Sequence, residues 1–224
     1  MESFTLYHKY VIMFKKIFIC IICIPILSLA QNSHNPKALA LNKQAFQLLI
    51  RGEAGSLYTT KANLKVIKLL DSAITIEPKY VSALMNKLSS LIYLKRYQDA
   101  ITTVNKAALY SPDDFSIYLK GGIIYQDYLK QNSNAKKYFE KAYSVALAKE
   151  KMNNHKILRY DINIALSLCY FRGKNSALLF LDKISLKYKD KKSKDEITYY
   201  KSLLSKTTFD TENNMSFFRN YSTV

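Results

Sequence analysis

The sequence predicts an all-α fold built from tandem antiparallel helical hairpins, and three observations predict it. Only five glycines and four prolines punctuate 224 residues, so long stretches rich in Leu, Ile, Ala and Lys run without a breaker and favour helix. Apolar residues recur at helical spacing, as at Leu84, Leu88 and Leu91 and again at Ala100, Val104 and Ala107, which is the period of one helix face. The phrase Ala-x-x-x-x-Pro stands at Ala73–Pro78 and returns 34 residues later at Ala107–Pro112, an interval that marks a repeated helical unit. The length suits one domain with a full core.

Taken in order, the chain opens on MESFTLYHKYVIMFKKIFICIICIPILSLAQNS, with the basic pair Lys15 and Lys16, an apolar run from Ile17 to Leu27, and Ser28-Leu29-Ala30. A positive region, an apolar core and a small-x-small end form a secretory signal peptide. Residues 1–30 are therefore expected to be a leader cleaved after Ala30, with Met13 as an alternative true start. The apolar stretch is short of the roughly 20 residues that cross a bilayer. Cys20 and Cys23 lie inside it and not after a cleavage box, which disfavours a lipoprotein. The expected destination is periplasmic or secreted, with membrane contact only through the leader before cleavage.

A linker over 31–36 follows, then a helical repeat domain over 37–190, a capping helix over 191–206 and a flexible tail over 207–224. The repeat domain rests on a shared register. Val66, Leu70, Ala73 and Pro78 fall on Ala100, Val104, Ala107 and Pro112, and Leu84, Leu88 and Leu91 fall on Tyr118, Gly122 and Tyr125, all at 34 residues; Ala100, Val104 and Ala107 then fall on Ala135, Phe139 and Ala142 at 35. The one extra residue is expected in a turn, in the polar phrase LKQNSN. The best repeats are 81–114 and 115–148. A hairpin before them starts at PKALALNKQAFQLLIRG and has its second helix over about 61–76. Another follows over LRYDINIALSLCYFRGKNSALLFLDKISLKY, with Ala177 as its small residue. One such hairpin buries its apolar face only when others stack on it.

This pattern resembles the tetratricopeptide repeat (TPR) family, whose unit is a 34-residue helical hairpin. Ala100 and Ala107 take the small twentieth and twenty-seventh places of the central repeat, with Tyr97 at the seventeenth and Pro112 at the thirty-second. In the next repeat Gly122 takes the eighth place, Tyr125 the eleventh, and Ala135 and Ala142 the later small ones. Leu88 departs from the small eighth place, and the repeat ending near Leu147 has no closing proline. The resemblance implies a short right-handed solenoid whose first helices line a concave groove that receives a peptide or partner helix. The implied groove residues are Ser82, Met85, Asn86, Ser89, Ile92 and Tyr93 in one repeat and Ser116, Leu119, Lys120, Ile123, Gln126 and Asp127 in the next. Asn86 and Lys120 match part of a carboxylate clamp known in the family, but Ser116 stands where a lysine is expected, so the mixed lining suits an amphipathic or extended peptide.

Chemistry elsewhere is sparse. No His/Cys/Asp/Glu group has metal-ligand spacing, and neither a phosphate loop nor a nucleophile elbow appears; no catalytic residue, metal or cofactor is expected, and a small-molecule ligand is not. His34 and His155 lie in polar phrases. Cys169, in INIALSLCYF, is expected to be a buried packing residue. Asp113-Asp114 precedes a helix and is expected to cap it. Gly121-Gly122 is expected at a close helix contact. Tyr97, Tyr118 and Tyr125 sit at repeat positions and are expected to pack and not to stack on bases.

The net charge of +17 falls to +15 when Lys9, Lys15, Lys16 and Glu2 leave with the leader. With 29 lysines against five arginines, and arginine the better phosphate reader, a solvated lysine surface is expected and nucleic acid is not. The run KYKDKKSKD from Lys187 to Asp195 is expected to be a solvated connector. The sequence therefore points to an exported, non-enzymatic TPR-repeat scaffold with a protein or peptide partner. The alternative is a binder of anionic envelope polymer or lipid headgroups through the lysine surface.

Overall fold

The computed structural model describes residues 34–51, 59–153 and 157–205. The signal-peptide, linker-start, His155 and tail expectations lie outside them. Nine α-helices and no strand occur among the described residues: α1 Pro36–Arg51, α2 Thr60–Ile76, α3 Val81–Tyr93, α4 Tyr97–Tyr110, α5 Phe115–Ile123, α6 Asn132–Met152, α7 Leu158–Arg172, α8 Lys174–Ser185 and α9 Lys191–Ser205. The fold is all-α, with consecutive helices paired as TPR-like hairpins. It divides into two compact units, one ending at Ser111 and the other starting at Pro112, three residues before the boundary expected between the two best repeats. None of the described helices is long and apolar enough to cross a membrane.

In the first unit α1 packs on α2, α2 on α3 and α3 on α4. Ala38, Ala45, Leu49, Val66, Leu70, Ala73, Tyr80 and Ala83 form one buried cluster, and Leu84, Leu88, Leu91, Ala100, Val104 and Ala107 are buried as their spacing predicts. The alanines at the small places are fully buried because helix axes can approach only where no long side chain intervenes. The α3–α4 corner closes with two bonds, Arg96 N–H to Leu91 O at 2.8 Å and Lys95 N–H to Ile92 O at 2.9 Å. This is the C-terminal arrangement that places one residue in the left-handed region, here Lys95 at φ 59°.

In the second unit α5 packs on α6, α6 on α7, α7 on α8, and α9 against α8 and α7. Asp114 Oδ1 accepts the Ser116 N–H at 2.9 Å and caps α5 as expected, whereas Asp113, the other member of the acidic pair, is ion-paired with Lys149 of α6. The extra residue, expected in the turn, is instead inside the first arm. α5 runs on into a π-helical turn over Ile124–Tyr128, with Leu129 N–H bonded to Ile124 O. The two first arms start 34 residues apart, at Val81 and Phe115, yet their left-handed corner residues, Lys95 and Lys130, stand 35 apart. A π turn absorbs one residue without displacing the corner that follows, so the corner keeps its geometry and the helix widens.

Every residue of α7 from Asp161 to Tyr170 is buried, which makes it the central helix of its unit. It joins α8 through Gly173 alone, at φ 89° and ψ 166°, a region that only glycine enters without strain. A Cβ there would touch nothing within 4 Å, so the cost of a substitution is conformational. Gly173→Ala is expected to destabilise the protein by about 1–3 kcal/mol, read from urea unfolding midpoints.

Candidate partner-binding face

The face implied by the TPR resemblance can be built from its parts in each unit. In the first unit, α3 carries Ser82, Ser89 and Ile92 half-buried, Met85 and Asn86 buried, and Tyr93 exposed at 39%. Asn86 does not offer its amide freely. Its Nδ2 donates to Asn42 Oδ1 of α1 at 3.0 Å, and Asn42 Nδ2 donates to the Tyr80 hydroxyl at 3.0 Å. A row of three polar side chains thus ties the first arms α1 and α3 together along one face, with the orientation of each amide set by its neighbour.

That row extends to the start of the described chain. The His34 ring stacks on Tyr80 at 4.2 Å between centroids, its Nδ1 lies 2.6 Å from Glu77 Oε1, and the Asn35 N–H donates to Glu77 Oε2 at 3.1 Å. Burial raises the Tyr80 phenol above its ordinary range, opposed by the Asn42 bond and assisted by the Glu77 charge. His34, met in sequence as a linker residue, is therefore a packing contact at the α2–α3 corner.

In the second unit, Ser116 and Gln126 are half-buried, while Leu119, Lys120, Ile123 and Asp127 are buried. Lys120 and Asp127 stand seven residues apart in α5 and its π turn, two helical turns along one face. Asp127 raises the Tyr170 phenol of α7, though burial is the larger cause. The tyrosines of this unit pack as rings on one another: Tyr138 of α6 lies 5.2 Å from Tyr125 and 6.3 Å from Tyr118, and the Tyr118 hydroxyl donates to Pro112 O at 3.0 Å. Packing accounts for these repeat-position tyrosines, as their places predicted.

One cluster escaped the sequence reading. Asp161 of α7 has a side chain 2% exposed, and its Oδ2 accepts both Lys187 Nζ and the Tyr188 hydroxyl at 2.7 Å. Lys187 Nζ also lies 3.4 Å from Glu150 Oε1 of α6. Burial, and then the bond to Asp161, push the Tyr188 phenol far above its usual value. The KYKDKKSKD run is thus only partly solvated: Lys187 and Tyr188 turn inward because two buried carboxylates on α6 and α7 require a cation. The residues are 26 to 37 positions apart and share no motif, so nothing in the sequence marked them as neighbours.

Cys169 is buried, and its thiol is pushed up to about 12 by desolvation, with Lys174 pulling slightly the other way. In protein beginning at Gln31 it is the sole thiol, so thiol reagents should leave the folded protein unlabelled and react fully once it is unfolded. The same burial sets a pH dependence. The folded state favours the protonated Cys169, whose stabilising effect is fully present below its ordinary 9.0 and is lost as the pH rises through about 12, since stability falls wherever the unfolded state has released a proton that the folded state keeps. Tyr80, Tyr138 and Tyr170 shift in the same direction. Urea midpoints are expected to hold steady at neutral pH and fall progressively above pH 9.

Among the described residues no group of three His, Cys, Asp or Glu side chains is placed to hold a metal ion. The class that the fold defines is a TPR-like helical-repeat protein. No family model and no curated protein matches the chain. Solved structures similar to it include a crystal structure of MamA, at 16% identity and a TM-score of 0.45 over 86% of this chain and 88% of that one, and the MamA RS-1 ArsTM double mutant, at 17% identity and 0.42 over 77% and 97%.

Proposed function

We propose that this chain is an exported, non-enzymatic protein-interaction module that receives a peptide or helix of a partner along its first-arm faces. The observation that carries the proposal is the face of α3, where exposed Tyr93 stands on the same arm as an Asn86 amide already oriented by Asn42. Aromatic side chains with a polar tip are the usual anchors of such contacts, and an oriented amide loses little freedom when it meets a peptide backbone. Ser82, Met85, Ser89 and Ile92 complete that face in the proposal, and Ser116, Leu119, Lys120, Ile123 and Asp127 are its counterparts in the second unit. Export is supported by the leader-like opening of the sequence.

The test is capture from envelope and medium fractions on immobilised protein beginning at Gln31, eluted with rising salt. A discrete protein partner that survives moderate salt and is lost with Tyr93→Ala and Ile92→Ala supports the reading. Tyr93 and Ile92 are the substitutions to make, because alanine at the buried Lys120 or Ile123 would disturb packing as well as binding. Mixed anionic material released at low salt, and indifferent to these substitutions, would transfer the function to the lysine surface.

A further inference from the structure

The outward side of a second arm ordinarily carries polar residues, and α6 follows this rule with Lys136, Lys137, Glu140, Lys141 and Ser144 exposed. α8 breaks it. Ala177, Leu181 and Ile184 are buried on one side, while on the other Leu179 is 70% exposed and Leu186 is 74% exposed. The two are seven residues apart, two turns along one row and roughly 10 Å of helix, with exposed Lys183 between them. A single exposed leucine is ordinary. Two in register around a cation have the spacing with which amphipathic helices anchor to a surface.

The charges around this row select its occupant. Asp182, the adjacent carboxylate, is taken by Lys201 of α9. Lys183 and Lys189 have no ion-pair partner among the described residues. A second copy of the chain docking through the same row about a two-fold axis would set Lys183 against its own equivalent, in a protein already carrying a net charge of +17.

We propose that the row of Leu179 and Lys183 of α8 and Leu186 at its C-cap is a docking site for an acidic amphipathic helix of a partner protein. Apolar side chains seven residues apart on that helix cover the two leucines, and a carboxylate between them meets Lys183. This surface is separate from the first-arm face and requires nothing of it.

The probe is a labelled synthetic peptide with leucines in heptad spacing and glutamates on both flanks, measured by fluorescence anisotropy beside a scrambled peptide of the same composition. The patterned peptide should bind better than the scrambled one, and the double variant Leu179→Ser, Leu186→Ser should weaken it by about tenfold or more, a change of roughly 1.4 kcal/mol. Because both leucines are exposed, that variant should keep the melting profile of the parent. Lys183→Glu should weaken binding too. Absence of binding, equal binding of the scrambled peptide, or binding indifferent to the leucine substitutions overturns the proposal. So does self-association in sedimentation that disappears with the same substitutions, which would give the row to a second copy.

Discussion

Replacing Lys187 with methionine is expected to lower stability by about 3 kcal/mol, the low end of the range for removing one partner of a buried ion pair. The methionine keeps most of the side-chain volume, so the effect isolates the charge. Without it, the Asp161 carboxylate, 2% exposed, and the Glu150 carboxylate, 11% exposed, lose the cation that lies against both, while the Tyr188 hydroxyl stays on Asp161. Lys187 is itself 31% exposed, and water reaching it holds the loss near the lower bound. At roughly 2–4 °C per kcal/mol for a protein of this size, the melting temperature should fall by about 6–12 °C. Adding Asp161→Asn should recover part of the loss, because the amide removes the stranded charge and still accepts the Tyr188 hydroxyl. If the single and double variants melt together, the cluster does not act as an electrostatic unit.

The contact between Gly122 and Phe139 predicts a second large effect. A Cβ built on Gly122 would stand 2.3 Å from Phe139 Cε1 and 2.5 Å from its Cδ1. The ring cannot retreat easily, since it is 2% exposed and lies 4.7 Å from the ring of Tyr170. Helix propensity alone favours Gly122→Ala by up to about 1 kcal/mol, but overpacking costs about 1–3 kcal/mol, so the net change is a loss. Phe139→Ala should cost about 3–5 kcal/mol through the cavity it leaves. The two should not add: once Phe139 is truncated the clash is gone, and Gly122→Ala becomes neutral or stabilising. A thermodynamic cycle over the four proteins reads the coupling directly, and additive losses would show that the α5–α6 approach is not limited at this pair.

Much of the fold was legible because a TPR-like hairpin writes its packing into local spacing. Ala100, Ala107, Ala135, Ala142 and Ala177 are small where helix axes approach and are buried to within 1%; the first four could be found from the repeat intervals, and Ala177 as the small residue of its hairpin. Gly122 was legible in the same way, although the identity of the ring it admits was not. The candidate face was legible as a row of positions, but the exposure of those positions was not. Met85, Asn86, Leu119, Lys120, Ile123 and Asp127 share the register of Tyr93 and are buried, because burial depends on which elements lie against a helix as well as on its own period.

Helix, hairpin and repeat were thus determined by the sequence alone, through breaker spacing, apolar period and the 34-residue return, all of which act over a few turns of one chain segment. Tertiary structure decided three things that no interval encodes. It took up the extra residue as a π turn at Ile124–Tyr128 and not in the corner, since the Lys130 corner must match its neighbour's geometry while a helix end can widen. It drew Lys187 and Tyr188 out of a solvated run onto Asp161, because a carboxylate enclosed by α6 and α7 requires compensation from whatever side chain reaches it. It turned Leu179 and Leu186 outward, because one side of α8 is already filled by Ala177, Leu181 and Ile184 and a helix can bury only the faces its neighbours cover.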